Sequence, residues 1–530
     1  MINNYLRNWT QIKHFRHGNI KILVNIILGL IVYSLIALYA VPSGAPVSPY
    51  KTSWIGNTFG GGSKWVQNFV DGMYVASDGT VYSNSTWDEG SKEAGIYKNG
   101  DVIGQANAMH GWGRTGGVAV TANSKYLYVS MTQEPSGLAG EDYPPQGTTW
   151  YAVRRYNLSG EADPFTGGRG YDKSMLIIST SGQVTGLATG GSELYVSDSA
   201  TNRIRVFNSD TMTELRSWSF DRPRQITVDP IGNLWIIQAK DASNPYKILC
   251  NSKTGNLLPQ QLTDAVEPLA LAYSQDRILV ADNGPRQQVL IYNIMGQPRL
   301  VGTFGAQNGI YSGTPGEVGA LKLYGIRGVG TDAAGNIYVG SHGFKGLGRD
   351  LSGPDLRKFS PSGTLQWQLL GLEFVDSADA DPGTDAVDVF TKHEHFVMDY
   401  SKGIGKEWTY KGYTLDKFRY PDDPRLQNLG HGTASAFVRR INGKRFLYLI
   451  GQWPYMVSIY RFDGEIAVPS GILAKKYLGW PANQPKNARW MWRDRNGDGS
   501  IQSNEYENLG QADDSIWAID IDSKGDIWQA

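Results

Sequence analysis

Three stretches decide the fold: ITVDPIGNLWIIQ (Ile226–Gln238), IRGVGTDAAGNIYVG (Ile326–Gly340) and IWAIDIDSKGDIWQA (Ile516–Ala530). Each reads as an alternating apolar run, an Asp followed by Gly-Asn or Gly-Asp, and a second run carrying Leu or Ile, Trp or Tyr. Alternation places successive side chains on opposite faces of a strand. Gly with Asn or Asp is expected to supply the positive-φ positions of a two-residue hairpin turn. Looser copies run through MYVASDGTVYSN (Met73–Asn84), VAVTANSKYLYVS (Val118–Ser130), LATGGSELYVSD (Leu187–Asp198), LALAYSQDRILVAD (Leu269–Asp282) and FVRRINGKRFLYLIG (Phe437–Gly451). A third strand follows several copies, as in NRIRVFN (Asn202–Asn208).

The unit is therefore a small antiparallel sheet recurring about every 40–60 residues, a period that belongs to propeller arrays. One such sheet cannot cover both its faces, whereas radial packing of several does. The expectation is an all-β chain forming a β-propeller of about six to eight blades over residues 54–530. A β-sandwich competes, but its strands have no reason to repeat one pattern so often.

Bulk properties agree. The 530 residues exceed a single ordinary core. The 64 glycines and abundant Trp and Tyr suit short strands, tight turns and aromatics between sheets. Equal numbers of basic and acidic residues, 50 each, argue against a nucleic-acid surface. Cys250 is the sole cysteine, which excludes an intrachain disulfide and argues against a zinc–thiolate site.

The first 70 residues carry no acid. Arg7, Lys13, Arg16 and Lys21 form a basic segment, residues 1–21, ahead of an apolar run over 22–41. Such a run is long enough to span a bilayer, and its charge bias places the N-terminus in the cytoplasm. It reads as a signal anchor, with a cleaved signal peptide as the alternative. Either way the body is extracytoplasmic, joined through a Pro/Gly/Ser linker at 42–53. Two stretches break the repeat: 376–430, a divergent blade or an insertion, and 479–511. The last copy stops after two strands, so either strands near Trp54–Val70 complete it or the chain is part of a longer protein.

The residues of the repeat carry a family resemblance. Tyr195, Val196, Asp198, Asn202, Arg203, Ile204, Val206 and Phe207 resemble a blade of NHL-repeat proteins and of the related SMP-30/gluconolactonase propellers, and the likeness extends over roughly Met73 to Leu370. It implies a propeller and, in the lactonases, a divalent ion held by an acid, an asparagine and an aspartate; no triple in this chain stands out as their equivalent.

The sharpest chemical motif is DRNGDGSIQSNE (Asp494–Glu505), which matches D-x-[DN]-x-[DN]-G-x5-E. Asp494, Asn496 and Asp498 offer side-chain oxygens, Ser500 a carbonyl, Gln502 a water-mediated position and Glu505 a bidentate carboxylate. Calcium takes six to eight such hard ligands. The expected cofactor is one structural calcium in an EF-hand- or dockerin-like loop. His110, His342 and His431 each precede glycine in loops beside repeats, so a second divalent metal at a central channel is a further candidate. His393 and His395 form an H-x-H pair, Asp198 and Asp282 end repeat strands where turn capping is the expected role, and Trp490 and Trp492 suit core packing. The sequence contains no G-x-S-x-G, Walker A, dinucleotide or H-E-x-x-H motif. The functional expectation is a membrane-tethered binding module for a glycan, peptide or protein ligand. The alternative is a metal-dependent lactonase- or lyase-like enzyme acting in the channel.

Overall fold

A computed structural model describes residues 51–530 apart from 59–64, 89, 108, 112, 136–142, 345–351, 372, 374–376, 428–433, 452–454 and 517. The chain divides into Met1–Thr52 and Ser53–Ala530, and the second unit carries all the elements that follow. The expected anchor at 22–41 lies outside the described residues. Among those described, no helix is long and apolar enough to cross a membrane.

The described residues are all-β, with short 3-10 turns as their only helical elements. Nine small antiparallel sheets follow one another along the chain in a propeller-like array. The first six have four strands each, paired in chain order, and start at Gly72–Val75, Arg114–Ala122, Val184–Gly190, Pro223–Val228, Pro268–Ser274 and Ile326–Thr331. The sixth ends with Leu365–Leu370, so this set occupies the stretch over which the repeat is most regular.

Alternation in each strand divides its side chains between two cores. In the fourth sheet, Leu234 and Ile236 pack with Tyr195, Ile204 and Val206 of the third. Their neighbours Trp235 and Ile237 pack with Leu271, Ile278 and Val280 of the fifth. That is why LWII has no polar position: both faces are covered. Similar apolar layers lie between sheets one and two, two and three, and five and six. The last layer joins Tyr338, Leu356 and Leu369 of the sixth sheet to Met73, Val75 and Tyr97 of the first. The first strands pack side by side in the same order, and Ile326–Thr331 packs back against Gly72–Val75. The succession returns to its start.

The described part of Trp54–Val70 sits at this junction. Val66 and Val70 fill the layer between the sixth and first sheets, and the Asn57 amide donates to the Leu370 carbonyl at 2.7 Å. The segment considered for completing the final sheet thus lies elsewhere; Ile519–Ile521 and Ile527–Gln529 pair with each other.

The turns differ from the two-residue expectation. Val228 pairs with Leu234, the Gly232 amide donates to the Asp229 carbonyl, and the Asp229 amide donates to the Asn233 carbonyl. This is a three-residue loop with one left-handed position, Gly232 at φ +90°. The Asp229 carboxylate accepts the Ile231 and Asn233 amides, so the aspartate caps the turn. Asp332 with Gly335, and Asp522 with Gly525, repeat the arrangement. The Asn or Asp after glycine is the first residue after the loop and needs no positive φ.

Beyond Leu370 the regularity drops. Within 376–430 lies a seventh sheet of four short strands from Asp379–Ala380 to Trp408–Tyr413. The eighth has six strands, from Ala434–Ile441 to Tyr506–Gln511. Polar contacts cross the joint between them beside an apolar layer around Phe390. Asp381, buried beside the seventh sheet, accepts hydrogen bonds from Arg440 at 2.6 Å and Arg445 at 2.6 Å on the eighth. Burial pushes the Asp381 carboxyl up, but the bonds from Arg440, the Gly383 amide and Arg445 outweigh it and hold it down at about 2. A depressed carboxyl stabilises the fold above its ordinary value near ~4 and loses that contribution as pH falls toward 2. The expected contribution is on the order of 1–2 kcal/mol, reduced by the partial exposure of Arg440. Urea midpoints at pH 5 and pH 2.5 check it: wild type should lose more than Asp381→Asn over this interval, and equal losses would refute the linkage.

Candidate functional site

Strand order puts one surface at the centre of the first six sheets. A cavity of about 200 Å³ is lined by the first strands of all six, including Tyr74, Thr121, Thr189, Gln225, Tyr273 and Thr331. Gln225 of the fourth sheet donates across it to the Val118 carbonyl of the second at 3.2 Å. The lining contains no Asp, Glu, His, Lys, Arg or Cys. Its chemistry is that of hydroxyls, one amide, backbone and aliphatic groups, suited to holding a neutral molecule or water. Tyr74 is pushed above its ordinary value by burial, so it stays a neutral phenol at physiological pH.

The histidines are placed away from that lining. His110 Nδ1 lies 2.5 Å from Glu93 Oε1. Burial raises the Glu93 carboxyl, and the bond to His110 only partly offsets this. His342 is fully buried, and its Nδ1 accepts the Val70 amide at 3.2 Å. Between these two imidazoles run the rings of Trp87, 6.2 Å from His110, and Phe69, 4.9 Å from His342; Phe69 and Trp87 are themselves 6.1 Å apart. His431 lies outside the described residues. Among those described, no group of three or more His, Cys, Asp or Glu side chains is placed to hold a metal ion.

His393 and His395 part company at the start of a strand. His393 Nδ1 meets Glu373 at 3.0 Å, while His395 lies between Glu465 at 2.7 Å and Asp388 at 2.9 Å and stacks on Phe390. Each pair ties the seventh sheet to its surroundings. Asp198 caps its turn through the Ala200 and Thr201 amides, and Asp282 caps its own through the Gly284 amide and also accepts the Glu267 amide ahead of the preceding strand. Trp490 and Trp492 are fully buried, in a layer with Met456 and Ile472.

The acidic loop Asp494–Glu505 joins the last two strands of the eighth sheet, Ala488–Arg493 and Tyr506–Gln511. It wraps around Asp494, whose carboxylate accepts the Gly497 and Gly499 amides at 2.9 and 3.0 Å. Gly499 sits at φ +75°, and a Cβ there would meet Tyr420 and Val468. Asp498 accepts the Ser500 amide at 2.7 Å and the Gln502 side-chain amide at 2.6 Å. Arg461 pairs with Asp494 at 2.5 Å. Glu505 is 2% exposed and accepts from the Trp492 indole at 3.0 Å and the Arg495 amide at 2.9 Å. The loop's three carboxylates and the Asn496 amide are the donor types a hard divalent cation takes, but the three carboxylates are not gathered as a metal-holding group. The donors are engaged by protein groups, so a cation would displace Arg461 from Asp494 and Trp492 from Glu505.

Sequence reasoning missed a second cavity. About 190 Å³ in size, it is lined by Arg114, Gln133, Tyr143, Arg154, Gly170, Tyr171 and Met175 of the second sheet and its loops. The signal was present in Arg154-Arg155, two arginines inside a strand. They point to opposite faces, are 3% exposed each, and find Asp172 and Asp163 respectively.

No family model matches the chain, and no curated protein matches it. Solved structures similar to it include hydrazine synthase of Kuenenia stuttgartiensis, at 12% identity over 53% of this chain and 77% of that one, TM-score 0.27. A nidogen/laminin complex is 16% identical over 57% and 97%, TM-score 0.31. A Bacteroides caccae protein of unknown function is 14% identical over 55% and 92%, TM-score 0.37.

Proposed function

We propose that this chain is an extracytoplasmic binding module, tethered through 22–41, whose first six sheets close as a six-bladed propeller of the NHL or SMP-30 kind and whose acidic loop takes one structural calcium. The observation that carries the binding reading is the central cavity: its lining offers contacts from all six sheets but no carboxylate, imidazole, amine, guanidinium or thiol. A lactonase or lyase needs a charged or metal-bound group at its reacting centre, and the described lining gives none. The ligand class stays a glycan, peptide or protein.

The calcium part has an internal reporter. Calcium binding at Glu505 pulls the carboxylate from the Trp492 indole, which changes the fluorescence of that residue. Titrating the full-length protein with calcium should give a saturable change with Kd on the order of 10⁻⁴–10⁻³ M, as for extracellular loops. Asp498→Ala should abolish it, and Trp492→Phe should remove the signal while calorimetry still detects the ion. A flat titration by both methods would refute the calcium site. Protease accessibility of residues 51–530 in intact cells tests the tether: digestion from outside is expected, and protection would reject it.

A further inference from the structure

The cavity on the second sheet is charged where the central one is neutral. Arg154 Nε donates to Ser174 at 2.9 Å, and its guanidinium pairs with Asp172. Arg114 faces the same space, and among the described residues no carboxylate pairs with it; its Nε is buried without a hydrogen-bond partner. Among the described residues, these two arginines meet one carboxylate, that of Asp172. Tyr171 is 64% exposed at its edge, and both guanidinium carbons lie about 6 Å from its ring centroid, Arg114 at 6.0 Å and Arg154 at 5.9 Å. Gln133 and Tyr143 add neutral hydrogen-bonding groups to the wall.

We propose that this cavity binds a monocarboxylate carried on a compact ring, with Arg114 taking the carboxylate and Tyr171 flanking the ring. Two features point to that class. Arg114 has no carboxylate partner among the described residues, and its planar fork fits a carboxylate bidentately. An exposed aromatic face beside the cation covers a flat apolar surface. The ring can be a sugar, as in a hexuronate of an acidic glycan, or an aryl group. The inference rests on the binding-module reading and narrows its ligand.

The test is ligand-observed NMR and calorimetry on the full-length protein with sodium glucuronate, benzoate, glucose and inorganic phosphate. Saturable binding of glucuronate or benzoate, no binding of glucose, and at least tenfold weakening by Arg114→Gln are expected. Tyr171→Ala should weaken binding several-fold; it lies at an exposed edge, so it checks the site independently of folding. Absence of binding by both carboxylates, tighter binding of phosphate, or unchanged affinity in a folded Arg114→Gln protein would overturn the proposal. The two readings separate cleanly. Failure here with an intact calcium response at Trp492 removes only the pocket. Bound glucuronate whose spectrum shows chemical conversion keeps the pocket and removes the binding-module reading.

Discussion

Arg425→Ala is expected to destabilise the protein by about 3–5 kcal/mol, the cost of leaving a buried charge without its partner. Arg425 is 2% exposed and Asp423 fully buried. The guanidinium donates to Asp423 Oδ2 at 2.7 Å and Oδ1 at 3.1 Å, to the Lys392 carbonyl at 3.1 Å and to Thr414 Oγ1 at 2.9 Å. It also reaches the Ala467 carbonyl of the eighth sheet at 3.1 Å and lies 4.5 Å from the Tyr460 ring centroid. One side chain thus joins the end of the seventh sheet to the middle of the eighth. Alanine would strand the Asp423 carboxylate and three carbonyl or hydroxyl acceptors in a dry place. Lysine cannot reproduce the fork and should recover less than half of the loss. Replacing both partners, Arg425→Met with Asp423→Leu, should restore much of it because no charge is then buried. Urea unfolding followed by far-ultraviolet circular dichroism measures all four proteins. A loss below about 1 kcal/mol for Arg425→Ala would show that water reaches Asp423 and that the joint is not a closed core.

Nothing in the sequence announces that clamp, and the reason is physical. Its members come from Lys392, Thr414, Asp423, Arg425, Tyr460 and Ala467, and only the fold brings them together. The repeated pattern is legible because it is local: alternation and turn chemistry lie within a dozen residues, so Asp229, Gly232 and Trp235 can be read together. Even there, the local pattern does not settle the turn length. An Asp three residues before Gly caps a three-residue loop, and Asn233 after the glycine is read too easily as half of a two-residue turn. Candidate site residues fare unevenly for the same reason. Asp494–Glu505 is a contiguous motif, and two of its backbone amides donate to the Asp494 carboxylate. His110 and His342 looked alike in sequence, each before a glycine, yet one pairs with buried Glu93 and the other accepts a backbone amide. The Arg114 cavity needed the pairing register of four strands, which no spacing rule supplies.

Neighbouring sheets meet at glycines, and Gly186→Ala should show how tightly. Gly186 lies in the first strand of the third sheet, and a Cβ there would stand 2.1 Å from the Arg224 carbonyl oxygen in the first strand of the fourth. Its φ is not positive, so the constraint is space alone. The opposing atom is backbone, and the same carbonyl accepts the Ser197 hydroxyl at 2.6 Å; it cannot swing aside as a side chain could. Relief requires separating the two strands. First strands meet as closely at other joints, Gly72 against Val118 and Gly328 against Met73, and neighbouring first strands pack in succession, so a shift at one joint is passed to the next. Overpacking of this kind costs about 1–3 kcal/mol at a yielding site, and here the upper end or beyond is expected because backbone opposes backbone. Gly302→Ala is the matched control. It lies in an outer strand with open space around its Cβ position, so its effect should stay within about 0.5 kcal/mol. Thermal denaturation of the two variants beside wild type separates the explanations. If alanine costs the same at both positions, the loss belongs to strand propensity. If only Gly186→Ala is costly, the third and fourth sheets meet at Gly186 with room for no more than a hydrogen atom.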